Sequence, residues 1–438
     1  MIVASSLPFV KRPSRGGNVS DHLYIGLDAG TSLTKAAIFD LAGNQLAEAQ
    51  HRTTVLRPHP GWSELDPAEA WKAALDVLGR VVRESGVDAS RIRGIGLTAA
   101  MVGAWLVDAD GQAVRNGITW EDSRAQALID AHVARDPQFM RRIFASSGSV
   151  MQQGCTLPLL AWLARHEPAT LARTRHVLGY KDFLRFRLTG TIATDRTEAS
   201  VLPGSATART RSDAMIALFG LEDAADLLPP VAESESFVGG LTSEAAQAIG
   251  LPMGLPVAVG AGDVAATVIG AGGLAAGTAT AVLGTTCMVG VAHDRPIFEP
   301  ADIGLLFTLP GERWYRAMVN VAGTLNLDWA FNALAPDLAS RPERFAMMTE
   351  MIRAVPRART ASSTCPTCRK AASSRPGSIT LHGRSSPACR HGMTVPACSA
   401  RCSKAWPLPC ATCSTCSPST ATACCSPAAA RRTPTGCR

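Results

Sequence analysis

Three short turns of the sequence carry residue types that could hold a polyphosphate. Asp28-Ala29-Gly30-Thr31-Ser32, Gly260-Ala261-Gly262-Asp263 and Leu283-Gly284-Thr285-Thr286 each follow a run of apolar residues. At a strand end, glycine lets the backbone approach a ligand, amide N–H groups point outward, and small hydroxyls add further donors. One such turn is as easily an ordinary β-turn. Three of them, in this order along one chain, are a much more specific signal.

The elements around them must hold these turns in place. Residues 23–50 read as a β-meander, with strands LYIGLD, TKAAIFD and QLAEAQ joined at AGTS and LAGN. Apolar residues at Ala70, Trp71, Ala74, Leu75, Leu78 and Val81 predict a helix from Pro67 to about Glu84. RGIGLTAA (93–100) reads as a short buried strand, and AWLVDADGQAV (104–114) as a hairpin turning at Asp110-Gly111. Residues 122–190 read as mostly helical, with Gly190 as the C-cap of KDFLRFRLT. LPVAVGAGD (255–263) is a strand running into a glycine-rich turn and then a helix, and residues 278–292 form a second hairpin. Strands mixed with helices in this way predict α/β layers.

The series resembles the FGGY carbohydrate kinases, relatives of actin and hexokinase. IGLDAGTSLTKAAIFD is similar to that family's first phosphate loop, PGWSELDPAEAW to its PGW-x-E-x-D-P segment, and WEDSRA (120–125) to its W-x-D-x-R element near the sugar. KDFLRFRLTG and TDRTEAS (194–200) resemble two further family segments. GAGDVAATVIGAG resembles the turn with the catalytic aspartate, and LGTT the second phosphate loop. The likeness runs from Leu23 to about Leu334. It implies an α/β, actin-like (ribonuclease H-like) two-domain ATPase fold, here with the second domain truncated. It also implies ATP and Mg²⁺ as cofactors, a small sugar or polyol as substrate, a cytoplasmic setting, and no nucleic acid or membrane partner. It leaves room for a homodimer.

Residue by residue, the resemblance implies that Asp263 is the general base and that Asp28 holds Mg²⁺ through water. Gly30, Thr31, Ser32, Gly284, Thr285 and Thr286 would cradle phosphates. Met101, Trp120, Asp122 and Arg124 would join Asp263 around the substrate. Asp263 as a helix N-cap, and Asp122 with Arg124 as an exposed pair at a helix start, are the blander alternatives. Xylulose kinases carry Q-M-H-G where this chain has Ala100-Met101-Val102-Gly103, so a sugar-touching histidine is absent. The stretch that follows, AWLVDADG, looks more like the kinases of erythritol and L-xylulose. The substrate stays open among pentuloses, pentitols and tetritols.

Composition divides the chain. Of 43 basic residues thirteen lie in 351–438, where there is no Asp or Glu. Before them stand 30 basic and 36 acidic residues, a net of −6. Nothing in that mildly acidic body points to nucleic acid. Only Cys155 and Cys287 precede residue 351, which fits a reducing compartment, while eleven cysteines follow. No run of eighteen apolar residues is present. Residues 1–20 lack the apolar stretch of a signal peptide and read as a disordered extension or a start codon placed too early. Residues 21–274 then form a sugar-binding domain that carries the base, 275–356 begin an ATP-binding domain, and 357–438 read as an out-of-frame, disordered tail. The genetic code supports the last assignment. Taking each codon from the third base of the written one, Thr364–Ala372 permits L-P-Y-L-S-E-G-G, Ala397–Thr412 permits L-L-R-A-V-F-E-G-V-A-A-A-M-R-D, and Pro427–Arg431 permits G-G-G-A. These match, in order, the family's LPYL, RAV-x-EG and adenosine-binding segments. The rival reading is a zinc site at Cys365/Cys368 and the Cys410, Cys413 and Cys416 series, whose C-x-x-C spacing suits paired thiolates. The frame reading predicts that protein purified under reducing conditions carries no tightly held zinc. One equivalent of zinc by elemental analysis, lost on replacing Cys365 and Cys368 with serine, would contradict it.

Overall fold

The computed structural model describes residues 22–284, 287–320 and 323–354. The expectations for residues 1–20, for Thr285 and Thr286 and for 357–438 lie outside the described residues. The described chain forms two compact units. One runs to Val282 and takes in Met288–Val319. The other takes Leu283, Gly284, Cys287, Asn320 and residues 323–354.

The larger unit is built on a six-stranded mixed sheet. Its order is Phe237–Gly240, Pro256–Ala258, Ile92–Ala99, Leu23–Ala29, Leu33–Asp40, Gln45–Arg52. The expected meander is the last three strands, paired antiparallel. Leu23, Ile25, Leu27 and Ala29 alternate inward, as a strand with one buried face requires. Ile92–Ala99 lies parallel to Leu23–Ala29, and Pro256–Ala258 lies parallel to Ile92–Ala99. Three parallel strands therefore end at the same edge, the position where open α/β sheets bind ligands.

The helix Pro67–Ser85 covers this sheet. Asp66 caps it, accepting from the amides of Ala68 and Glu69; Pro67 stands at its first position and Gly86 ends it in the left-handed region. Ala70, Ala74, Val77, Leu78 and Val81 are buried against the sheet. Each large aliphatic side chain so covered contributes about 1.5–3 kcal/mol. A second core lies under the helices between Gln126 and His166 and the segment from Met215 to Leu228. A four-stranded sheet follows, ordered Ala279–Leu283, Cys287–His293, Arg313–Asn320, Leu305–Leu309. No helix among the described residues is long and apolar enough to cross a membrane.

One expectation needs correction. Trp105–Val107 has its strand partner in His176–Leu178, and the hairpin with the arm that follows it is minimal. The turn itself forms as read, because the Asp108 carboxylate accepts from the amides of Asp110 and Gln112, but the return arm makes only an isolated bridge from Val107 to Ala113. Residues 122–190 are mostly helical as expected, with His176–Leu178 a short strand among the helices. Gly190 does end the helix Tyr180–Thr189, at φ 70°.

In the smaller unit the helix Leu325–Leu334 is tied by Arg344, which meets the Asp328 carboxylate at 2.9 Å. The Gly284 carbonyl accepts from both the amide and the hydroxyl of Thr324, each at 2.8 Å.

Glycine is needed where the chain turns out of the strand Ile92–Ala99. Gly103 has φ 80°, and a Cβ there would lie 2.3 Å from the Ile118 carbonyl oxygen. Gly43 has φ 83° with open space around it. Gly43→Ala should cost about 1 kcal/mol, the backbone term alone, and Gly103→Ala about 2–5 kcal/mol, because the clash adds to it. Urea unfolding followed by tryptophan fluorescence measures both; equal losses would show that Gly103 is not held against Ile118.

Candidate active site

The three parallel strands end in three turns. Asp28 closes the first. It sits opposite Lys35 on one side and Thr98 on the other. Its side chain is half-buried, and burial raises its carboxyl above the usual range while the Lys35 charge opposes that rise. No hydrogen bond to its carboxylate is made among the described residues. A desolvated carboxylate with its lone pairs unspent suits a hard cation that keeps most of its water, as Mg²⁺ does. Gly30, next in the turn, spends its amide on the Leu33 carbonyl at 2.9 Å. The donors left here are the amides and hydroxyls of Thr31 and Ser32, which make no such bond among the described residues. Gly284 belongs to the other unit, where its carbonyl is held by Thr324.

The second turn, Ala100–Gly103, is bent unusually. Val102, β-branched and buried, has φ 56°. That region is strongly unfavourable for such a residue and persists only when the surroundings enforce it. The Val102 amide donates to the Glu198 carboxyl, the Gly103 amide to the Gly154 carbonyl, and the Thr156 hydroxyl to the Gly103 carbonyl. Met101 is turned onto the Gly262 backbone so closely that a Cβ on Gly262 would sit 2.6 Å from its sulfur.

The third turn carries Asp263. Gly260 has φ 81°, and a Cβ on it would lie 2.2 Å from the Leu97 carbonyl oxygen. The Gly260 amide donates to the Ser234 carbonyl and the Gly262 amide to the Thr197 hydroxyl at 2.9 Å. Gly262, not Asp263, is the N-cap, and Asp263 is the first residue of the helix Asp263–Gly270. Its Oδ1 accepts from the Val264 amide at 2.8 Å. Burial pushes the Asp263 carboxyl up to about 7, and the negative charge of Asp28 adds to the rise.

Behind these turns lies a buried ionic cluster. Lys181 Nζ meets Asp182 Oδ1 at 2.5 Å, Asp195 Oδ1 at 3.3 Å and the Val259 carbonyl at 3.1 Å. Asp195 Oδ2 accepts from the Thr197 amide and hydroxyl and from the Ser234 hydroxyl. Two carboxylates already face one ammonium. Burial, with the charge of Asp182 next, therefore lifts Glu198 to about 8, so that it stays protonated at neutral pH.

A shallow cleft opens beside the first two turns, lined by Thr31, Ala100, Val102, Trp105, Thr119, Trp120 and Tyr180. Of the expected substrate residues, Trp120 lines it directly and is 37% exposed. Asp122 and Arg124 are buried, so the exposed-pair alternative is excluded. Arg124 holds Asp122 through Nε and NH2, reaches Glu64 at 2.6 Å, and lies 3.7 Å over the Trp62 ring. Asp122 also accepts from the Ser63 amide at 2.7 Å. The pair thus ties the 62–65 segment to the stretch that ends at Trp120. Sequence reasoning assigned no role to Tyr180, Lys181, Asp182, Asp195, Thr197 or Glu198. The signal was present, since all six lie in or beside the two family segments KDFLRFRLTG and TDRTEAS.

Residues 23–270 match the N-terminal domain of the FGGY family of carbohydrate kinases, and the chain belongs to that family. It is 34% identical over 314 residues to the xylulose kinase of Escherichia coli strain K12, covering 70% of this chain and 62% of that one. It is 32% identical over 346 residues to the erythritol kinase of Brucella abortus, covering 75% and 64%. The crystal structure of a xylulose kinase from Rhodospirillum rubrum superposes with a TM-score of 0.71 at 28% identity, over 77% of this chain and 68% of that one. The fold is that of the actin-like sugar kinases. The chain spans less than two thirds of the length of either curated relative named here.

The raised carboxyls tie stability to pH. Unfolded, Asp263 and Glu198 ionise near their ordinary values, 3.8 and 4.5; folded, they keep their protons to about 7 and about 8. Between those limits the folded protein binds more protons, so stability falls as pH rises and levels off above about 8. The lowered carboxyls of Asp40, Asp76 and Asp88 act in the opposite sense below this window, and the lowered imidazoles of His132 and His176, desolvated by burial, offset part of the fall within it. The melting temperature should therefore drop from pH 5 to pH 8, and Glu198→Gln should flatten the upper part of that slope. A melting temperature that rises over this range would contradict the assignment.

Proposed function

We propose that this chain, a member of the FGGY carbohydrate kinases, is built for ATP-dependent phosphorylation of a small sugar or polyol, with Asp263 as the general base. The observation that carries the reading is the Asp263 carboxyl, raised to about 7 on the turn that continues the strand edge carrying Asp28. A base poised near neutral pH can take the proton of an attacking hydroxyl without a large energetic mismatch. Asp28 is assigned to Mg²⁺, through water. A bound magnesium ion would neutralise phosphate charge in an in-line transfer, in which the protein mostly positions and shields. Thr31 and Ser32 are assigned to the first phosphate turn, their amides and hydroxyls supplying the donors that Gly30 does not. Gly284, Thr285 and Thr286 are assigned to the second. Trp120, with Thr31 and Tyr180, borders the substrate, while Asp122 and Arg124 act by fastening the segment after Trp120 to Ser63 and Glu64.

The domain reading places the sugar-binding half at 21–274 and the start of an ATP-binding half at 275–356. With residues 357–438 out of frame, the 438-residue chain is expected to show little turnover, because lost positioning of the nucleotide removes many orders of magnitude of rate. The alternative is a non-catalytic remnant that binds sugar weakly through its first domain. The apolar Val102 in the cleft wall supports tetritols, pentitols or L-xylulose over D-xylulose.

A chain with one base restored near codon 356 separates these readings. It should phosphorylate a four- or five-carbon sugar or polyol. Asp263→Ala should lower kcat by about 10²–10⁴ with little change in substrate Kd, since the base acts in the transition state. Asp28→Ala should instead weaken the dependence on Mg²⁺-ATP. Compared by kcat/KM, D-xylulose should not lead a panel with L-xylulose, erythritol, xylitol and ribitol. A tenfold lead for D-xylulose would overturn the reading of the Val102 turn. Full activity in Asp263→Ala would overturn the assignment of the base, and no turnover on any of the five would favour the remnant.

A further inference from the structure

Tyr180 stands at the start of the helix Tyr180–Thr189 and is 3% exposed. Its ring stacks flat on Trp105, with centroids 4.4 Å apart and planes 1° from parallel, and forms a wall of the cleft. Its hydroxyl has no hydrogen-bond partner. Thr34 approaches it without reaching hydrogen-bonding geometry. Leaving a buried hydroxyl unpaired is costly, whereas phenylalanine would fill the same space and stack on Trp105 without that penalty. Among the described residues other buried polar atoms lack partners, on Thr98, Arg124, His176, Arg185, Arg209 and Arg316, but Tyr180 alone of these residues lines the cleft.

The other walls make the position selective. Ala100, Val102, Trp105 and Trp120 offer no hydrogen-bonding side-chain group apart from the indole edges, and the Thr119 hydroxyl is already donated to Ser63 at 2.6 Å. Thr31 is the remaining polar lining residue and lies in the phosphate turn. We infer that the Tyr180 hydroxyl donates a hydrogen bond to one hydroxyl of a bound four- or five-carbon polyol and makes Tyr180 a substrate-selecting residue. The inference rests on the sugar-binding reading of this cleft. Burial pushes the phenol up to about 12, so it keeps its proton and serves as a donor at neutral pH. A site that reads a hydroxyl in this way discriminates strongly against an analogue that lacks it, because the buried donor is then left unpaired.

Calorimetric titration of the full 438-residue chain with erythritol, xylitol, ribitol and L-xylulose, and with the singly deoxygenated analogues of whichever binds best, tests this. Tyr180→Phe should weaken the best ligand about tenfold while leaving the melting temperature of the free protein unchanged or slightly higher. One deoxy analogue should bind the original chain about tenfold more weakly than its parent, yet bind Tyr180→Phe as well as the parent does. Equal affinity in the two proteins would overturn the proposal and leave the sugar-binding reading standing. A lowered melting temperature with unchanged affinity would show a structural role and overturn it too. If Tyr180→Phe does not fold, the deoxy series on the original chain decides. Affinity insensitive to every single deoxygenation overturns the proposal, and loss at one position supports it. If none of the four ligands binds the original chain, the sugar-binding reading falls and takes this inference with it.

Discussion

The Asp195 carboxylate is the point from which two of the three turns at the strand ends are held. It receives the Lys181 charge on one oxygen and three hydrogen bonds, from Thr197 and Ser234, on the other. Thus fixed, the one-turn helix Arg196–Ala199 points two side chains in different directions. The Thr197 hydroxyl takes the Gly262 amide and sets the residue before Asp263. The Glu198 carboxyl takes the Val102 amide and holds the strained bend of the cleft wall. Removing one partner of such a buried set leaves another charge uncompensated, at a cost of about 3–5 kcal/mol. A chain does not keep this cluster cheaply, and what it secures here is position. Asp263 and the cleft wall are referred to one rigid group.

The same cluster sets the electrostatics. Two carboxylates facing one ammonium give a local excess of negative charge in a medium that screens it poorly. A third carboxylate there keeps its proton, which is why Glu198 accepts from Val102 as a neutral acid. Asp263 is raised first by its own burial and further by Asp28 across the strand ends. The two aspartates are therefore unlike. The rise of Asp28 is partly offset by the Lys35 charge, whereas no cation among the described residues opposes that of Asp263.

Local patterning made much of this legible. The three-strand meander, the helix capped by Asp66 and Pro67, and the glycine turns at Gly30 and Gly260–Gly262 all follow from spacing over a few residues, and the structure has them. Contacts between distant residues were not legible. Asp122 and Arg124 sit two apart and look like an exposed pair, until Glu64, sixty residues earlier, completes a buried set with them. Trp105–Val107 looked like half of a local hairpin because the Asp108 turn is real, but its strand partner lies at His176–Leu178. The Gly30 amide looked available to a phosphate, yet the hairpin uses it to close on Leu33. Each miss has the same cause. The partner that decides the matter is brought in by the fold and carries no mark in the nearby sequence.

Burial on the third turn gives Asp263 a carboxyl poised near neutral pH. Following the side-chain carboxyl carbons by ¹³C NMR across a pH titration of the 438-residue chain, with Asp263→Asn for assignment, tests it directly. The account predicts a resonance, absent in Asp263→Asn, that titrates near pH 7 and moves lower when Asp28 is replaced by asparagine. Titration of that resonance near pH 4, unchanged by the Asp28 substitution, would contradict it.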